Sequence, residues 1–327
     1  MRKISVVTVT YNSSETIQAL ISSLLFYLSE IIGEIIVIDN KSSDDTVSVV
    51  KSLCRIYPRI RLIENKTNFG YRKAANLGLA LAANEIVLLT NPDILLTDNT
   101  LVQCYREIIR WQDVAVCYPR VRTVGRGRFD HHLTRVVVPF LFEFPEIYGN
   151  NSHKLKPVTT QIHVGPVLFV RRSALLEVGG YDEGVFMYGE EEEAYLKLSA
   201  IKLRILYVPL AKVEHEGSGS SEQIYGYQGF YSSQLFKIAP YLYFKYYDDT
   251  QAKRALWWAF YFLCALEWTI FTMRDNPLRD AYSQFKSRRS LPKHGFFRSA
   301  WHIKSILWTH VFKLVRFVSI YTSRIKA

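Results

Sequence analysis

Two hydrophobic periods alternate along the first hundred residues. Ile4 to Thr10 (Ile-Ser-Val-Val-Thr-Val-Thr) is β-branched and nearly unbroken, which predicts a strand buried on both faces, as in parallel sheets. Ser13, Ser14 and Glu15 then open a helical stretch to about Leu28, with Leu20, Leu24 and Leu28 on one face. Glu34 to Ile38 reads as a second strand, Val47 to Cys54 as a helix and Ile60 to Glu64 as a third strand. Asn68-Phe69-Gly70-Tyr71 is a turn, Lys73 to Ala83 an Ala- and Leu-rich helix, and Glu85 to Leu89 a fourth strand. Strands alternating with helices predict βαβ units, an α/β fold and a mainly parallel sheet.

Residues 112–160 are less regular. Arg120, Arg122, Arg126 and Arg128, with Gly125 and Gly127, predict an exposed loop that is either a solvated basic segment or a contact to acceptor or diphosphate. Val164 to Val170 is apolar, Arg171 to Val178 helical, and Gly179 to Glu183 a turn. An acid-rich helix start follows at Gly189-Glu190-Glu191-Glu192-Glu193, then a short strand over Ile205 to Val208 that Pro209 is expected to close. There is no internal repeat.

The chain has 327 residues, 49% of them hydrophobic and 22% charged, which excludes a disordered chain. Its four cysteines, Cys54, Cys104, Cys117 and Cys264, form no CxxC pair, which argues against a disulfide scaffold or a structural zinc and suits a reducing compartment. The net charge of +11 is unevenly placed. Residues 1–250 hold 27 basic and 27 acidic side chains; residues 251–327 hold 14 and 3. A basic, aromatic tail on a neutral body points to an anionic surface partner. The apolar run behind Met1-Arg2-Lys3 is too short for a signal peptide, so the body is expected in the cytoplasm.

In open α/β sheets, ligands bind outside the carboxyl ends of the strands. Thr10-Tyr11-Asn12, Asp39-Asn40 and Asn91-Pro92-Asp93 all fall at that edge. Asp93 can cap a helix or bind a divalent cation, which takes one or two carboxylates plus substrate phosphates. His215 can supply a second ligand. The four glutamates at 190–193 read either as a solvated acidic helix start or as the source of a general base, and only one or two of them can face a pocket. No GxxxxGK[ST], GxGxxG or GxSxG motif occurs, against a P-loop NTPase, a dinucleotide dehydrogenase and a nucleophile-elbow hydrolase.

Taken in order, these motifs resemble glycosyltransferase family 2, inverting enzymes with a GT-A fold, and most closely its rhamnosyltransferase-like branch. The resemblance runs from about Ile4 to Ser221. It rests on Val-Thr-Tyr-Asn at 9–12, Val-Ile-Asp-Asn-Lys-Ser-Ser-Asp at 37–44, Asn68-Phe69-Gly70 with Ala75-Asn76-Leu77-Gly78, and Leu89-Thr90-Asn91-Pro92-Asp93. Gly179-Gly180-Tyr181-Asp182-Glu183, Phe186 to Glu191, Val208-Pro209 and His215 complete it. The resemblance implies that Thr10, Tyr11, Asn12, Asp39 and Asn40 hold the nucleotide base and ribose. It implies that Asn68, Gly70, Asn76 and Asn91 line the donor side. Asp93 and His215 would hold Mg²⁺ or Mn²⁺, with Asn91 standing at the first acidic position of the family's Asp-x-Asp. Glu191 maps to the catalytic base, Glu190 would orient the acceptor, and Asp182, Glu183 and Tyr188 fall on the acceptor side.

The implied partners are a nucleotide-diphospho-sugar donor, with dTDP-rhamnose favoured, and a lipid-linked glycan acceptor of the bacterial cell envelope. The expected division is a GT-A domain over 1–225, with a nucleotide-sugar half at 1–110 and an acceptor half at 111–225, and a helical membrane-associating extension over 226–327. In the extension, Ala255 to Met273 carries the single charge Glu267 and suits a span, an interfacial helix or a buried helix. Leu307, Val311, Leu314, Val315 and Val318 share one helical face opposite His302, Lys313 and Arg316, as in a basic amphipathic helix. The expected location is the inner face of the cell membrane. The competing readings are an inactive GT-A-like scaffold and, ranked lowest, a nucleic-acid-binding protein; no nucleic-acid partner is expected because no such motif occurs.

Overall fold

The computed structural model describes residues 2–123, 156–160, 165–187 and 189–216. All of them lie in the first of two compact units, Met1–Leu242 and Tyr243–Ala327. The expectations for Tyr188, the loop beyond Thr123 and the extension at 226–327 fall outside the described residues. Strands β1 (Ile4–Thr10), β2 (Ile32–Asp39), β3 (Ile60–Glu64) and β4 (Ile86–Thr90) alternate with helices α1 (Ile17–Leu28), α2 (Thr46–Ile56) and α3 (Tyr71–Leu81). Then come β5 (Ile94–Leu95), α4 (Val102–Arg110), β6 (Val114–Thr123), β7 (Val158–Thr160), β8 (Val167–Arg171), α5 (Arg172–Glu177), α6 (Glu190–Ala200) and β9 (Arg204–His215).

Among the described residues the strands form one open mixed sheet, ordered β3-β2-β1-β4-β8-β6-β9-β5, with β7 beside β9. The β3-β2-β1-β4 half is parallel throughout. Its registers, Thr10 with Asp39 and Thr8 with Thr90, bring the carboxyl ends of β1, β2 and β4 to one edge. β8 then runs antiparallel to β4, so its start, Val167, meets the end of β4 at Thr90.

Strand alternation sorts the core into two layers. Ile4 and Val6 of β1 pack with Ile17, Leu20, Ile21, Leu24 and Leu28 of α1, and with buried residues of α2 and α4. Val7 packs on the opposite face with Ala74, Ala75 and Leu79 of α3, Ala174 and Leu175 of α5, and Ala194 and Leu198 of α6. Two helical layers on one sheet bury both faces of the central strands, which is why β1 and β4 are buried almost throughout.

Three expectations change. Helix α1 begins at Ile17, because Ser13 to Thr16 form a turn in which the Ile17 N–H donates to the Ser13 carbonyl at 3.0 Å. Part of 112–160 is a ten-residue strand, β6, whose Arg120 and Arg122 pair with Lys212 and Glu214 of β9. Pro209 does not close β9. The pairing jumps from Pro119–Val208 to Arg120–Lys212, so Pro209 lies in a bulge where its missing N–H leaves no ladder bond unmade. Beyond the bulge β9 continues to His215, which pairs with Ile94. That extension delivers His215 to the sheet edge.

Glu34 ties the opposite edge. Its carboxylate accepts from Ser5 Oγ at 2.6 Å, the Ala83 N–H at 2.7 Å and Arg61 Nη1 at 3.1 Å. Burial alone would raise its pKa, but these bonds outweigh burial and hold it below its ordinary value of 4.5. A depressed native pKa means the unfolded chain binds the proton first, so this stabilisation is present above 4.5 and fades as pH falls through the native value. The stability difference between wild type and Glu34→Gln, measured by urea unfolding, is therefore expected to shrink from pH 7 to pH 3; parallel pH profiles would contradict this.

Candidate functional site

The first part of the site is a pair of loops bonded to each other at the ends of β1 and β2. Asp39 is buried, and its carboxylate accepts from Thr10 Oγ1 at 2.9 Å, the Ser42 N–H at 2.9 Å and Ser42 Oγ at 2.5 Å. The Asn12 N–H donates to Ser42 Oγ at 2.9 Å, and Asn12 Oδ1 accepts from the Ser43 N–H at 2.8 Å. Asp44 accepts from the Ser14 N–H at 3.0 Å and the Thr46 N–H at 3.0 Å. These bonds overcome partial burial and lower the Asp44 pKa. Tyr11 directly follows β1 and is half-buried.

The second part joins β2 to α3. Asn40 Nδ2 donates to the Gly70 carbonyl at 3.1 Å and Asn40 Oδ1 accepts from Asn65 Nδ2 at 2.9 Å. Asn68 Oδ1 closes the turn by accepting from the Gly70 N–H at 3.0 Å. Gly70 has φ +82°, and a Cβ there would strike the Phe186 carbonyl, so both conformation and space require glycine. The next N–H, of Tyr71, donates to that same carbonyl at 3.0 Å. Asn76 clamps the backbone of Tyr181, accepting from its N–H at 2.9 Å and donating to its carbonyl at 2.7 Å. Asp182 Oδ1 accepts from the Gly184 N–H at 3.0 Å, and Glu183 is exposed beside Lys73 at 3.8 Å.

The glutamates of α6 take different places. Glu193 is fully buried, paired with the equally buried Arg72 of α3 and with Lys197 at 2.6 Å, and it accepts from the Asp182 N–H at 3.1 Å. Glu190 lies at 3.7 Å from Arg72 Nε. The Glu191 carboxylate lies so close over Gly165 that a Cβ on that residue would overlap Oε1. Next to Gly165, the Pro166 carbonyl accepts from the Asn91 N–H at 2.8 Å, which sets Glu191 beside the end of β4. Burial, followed by the Glu190 and Glu191 charges, raises the Tyr71 pKa. Burial, Tyr71 and the same two carboxylates raise that of Tyr181, so both phenols stay neutral.

The third part lies two residues beyond Asn91. Asp93 Oδ2 is 3.1 Å from His215 Nε2, and the Asp93 carbonyl accepts from the Glu216 N–H at 3.0 Å. Asp93 Oδ1 is buried with no hydrogen-bond partner among the described residues. An orphaned carboxylate oxygen beside an imidazole fits a divalent cation. No group of three His, Cys, Asp or Glu suited to a metal occurs among the described residues, so the remaining ligands would have to come from substrate phosphates or water.

One chain of contacts now circles the sheet edge, from Thr10 and Asp39 through Gly70 and Phe186 to α6, and through Gly165 and Asn91 to Asp93 and His215. A family model described as glycosyl transferase family 2 matches residues 5–179. The chain belongs to glycosyl transferase family 2. Two of its relatives are rhamnosyltransferases. It is 26% identical over 239 residues to N-acetylglucosaminyl-diphospho-decaprenol L-rhamnosyltransferase of Mycobacterium tuberculosis, covering 66% of this chain and 76% of that one. It is 27% identical over 199 residues to rhamnosyltransferase WbbL of Escherichia coli K12, covering 56% and 72%.

Solved structures give the fold. The mannosyltransferase PcManGT of Pyrobaculum calidifontis, in complex with GDP-Man and Mn²⁺, aligns with TM-score 0.58 and 17% identity over 98% of this chain and 87% of that one. GalNAc-T7 with UDP, GalNAc and Mn²⁺ aligns with TM-score 0.55 and 16% identity, covering 71% of this chain, which spans 48% of the other. This family 2 member is a nucleotide-sugar glycosyltransferase with the GT-A fold.

Sequence reasoning passed over Arg72 and Gly165, and gave no role of their own to Ser42 and Asp44 of the 37–44 motif. Arg72 had one legible sign, a charge between Tyr71 and Ala75 on the buried face of an Ala-rich helix. Gly165 offered none until Glu191 was seen above it. Gly165→Ala is expected to displace the Glu191 carboxylate and lower sugar transfer about 10²-fold, as a misplacement of about 1 Å does, with the thermal midpoint nearly unchanged. Kinetics and a melting curve on the same preparation check this; wild-type turnover would separate Gly165 from the site.

Proposed function

We propose that the protein transfers L-rhamnose from dTDP-rhamnose, with inversion, onto a hydroxyl of a lipid-linked glycan in cell-surface polysaccharide synthesis such as that of O-antigen. The observation that carries this reading is the pairing, at one sheet edge, of a carboxylate held over Gly165 with an orphaned carboxylate oxygen on Asp93. The first suits a base, the second an anchor for the diphosphate end of a donor. The relative from Mycobacterium tuberculosis carries in its name both the sugar and a diphospho-decaprenol acceptor, which supports the donor and acceptor classes.

In this reading Thr10, Tyr11, Asn12, Asp39 and Asn40 hold the base and ribose, and Asn68, Gly70, Asn76 and Asn91 line the donor side. Asp93 and His215 hold Mg²⁺ or Mn²⁺. When bound, the cation supplies charge neutralisation at the leaving diphosphate. Glu190, Asp182, Glu183 and Tyr188 face the acceptor. Glu191 takes the proton from the acceptor hydroxyl as its oxygen bonds to the anomeric carbon. The bond to the nucleoside diphosphate breaks on the opposite face, so one displacement inverts the centre. Residues 1–225 form the transferase, and the basic extension at 226–327 holds it against the inner membrane face. Among the described residues no helix is long and apolar enough to cross a membrane.

A thermal-shift panel of dTDP-, UDP- and GDP-sugars, with and without Mn²⁺, tests the donor. The largest shift is expected for dTDP-rhamnose with Mn²⁺; a larger one for a UDP- or GDP-sugar would overturn the choice. Asp93→Asn should remove the Mn²⁺-dependent part of the shift. Glu191→Gln should lower turnover about 10²-fold or more while nucleotide binding persists, and wild-type turnover would remove Glu191 from the role.

A further inference from the structure

We propose that Arg72 is a positioning residue of the transfer reaction, setting the rotation of α6 that aims Glu191 at the acceptor. The proposal rests on the reading of Glu191 as the base. Arg72 is fully buried in α3, yet it reaches two glutamates of a different helix. Its Nη1 pairs with Glu193, its Nε lies 3.7 Å from Glu190 Oε2, and Nη1 also donates to the Asp182 carbonyl at 3.4 Å.

Glu190 and Glu193 are three residues apart, so they share one face of α6, while Glu191 is turned about 100° from Glu190. Pinning two residues of one face fixes the third direction, and that direction leads to Gly165. The planar guanidinium can serve both carboxylates from one position; an ammonium, a point charge, cannot. Four consecutive carboxylates repel, and Arg72 brings positive charge to their inner face from outside the helix.

Glu193 does not depend on Arg72 alone, because Lys197 and the Asp182 N–H also hold it. This separates two roles. Lys197 supports Glu193 from one turn further along α6, whereas Arg72 reaches Glu190 and Glu193 together. Loss of either cation weakens the same buried carboxylate, but loss of Arg72 also releases the start of α6. Arg72 further lies two residues after Gly70, whose carbonyl receives Asn40, so the element that aims the base is also the one that borders the donor side.

The test compares Arg72→Lys, Arg72→Met and Lys197→Met in the full chain. Turnover is read as release of nucleoside diphosphate from the nucleotide sugar that the thermal-shift panel identifies, and binding by calorimetry with dTDP. Both Arg72→Met and Lys197→Met should melt lower than wild type. Arg72→Met should lose about 10²-fold in kcat with dTDP affinity kept within about threefold, and Lys197→Met should keep kcat within about threefold. Arg72→Lys, which retains a cation in the core, should fold and lose about tenfold in kcat. Equal kcat losses in Arg72→Met and Lys197→Met would overturn the proposal, as would wild-type kcat in Arg72→Lys.

A double-mutant cycle isolates the link to the base. Once Glu191→Gln has removed the base, adding Arg72→Lys should cost little more; losses that multiply would show that Arg72 acts apart from Glu191 and overturn its positioning role. Wild-type kcat in Glu191→Gln alone would remove the base assignment, and the proposal with it, by a route that does not involve Arg72.

Discussion

The ion pair between Arg72 and Glu193 is the constraint on which the site depends. Both side chains are fully buried, so each charge has lost its water and is held by its partner together with Glu190, Lys197 and the Asp182 backbone. Such a pair adds little net stability, but removing one member is costly because the other charge stays buried with fewer partners. It therefore acts as a fixed link between α3 and α6. The same link sorts the acidic run: Glu193 is structural, Glu190 is held at its edge, and Glu191 is turned toward Gly165.

Around that link, short polar contacts assemble the rest. Asp39 and Asp44 gather the loops after β1 and β2 into one bonded surface, Asp39 at a buried strand end and Asp44 at the exposed rim. The Gly70 carbonyl connects this surface to α3, and Phe186 connects α3 to the segment leading into α6. At the far side, Asn91 meets Pro166 and Asp93 meets His215. The proposed base, cation ligands and nucleoside-side residues all fall along a single sheet edge.

The parts of this arrangement written as local pattern were legible in the sequence. β1, β2 and β4 are buried on both faces and read as apolar runs, and their polar ends mark the ligand edge. What was hidden depends on contacts between distant segments. Four identical glutamates cannot reveal which is buried, because Glu193 is selected by Arg72, 121 residues earlier. Pro209 normally marks a strand end, and only the bulge opposite Pro119 and Arg120 lets β9 run on to His215. β6 was obscured because its later half alternates arginines with apolar residues next to a basic segment.

The central claim is that one carboxylate, Glu191, drives a single displacement at the anomeric carbon. The most direct measurement is the anomeric configuration of the product, read by proton NMR after transfer from the nucleotide sugar. A single displacement leaves the configuration inverted relative to the donor. A retained configuration would mean two displacements or another geometry of attack, and would contradict the role given to Glu191.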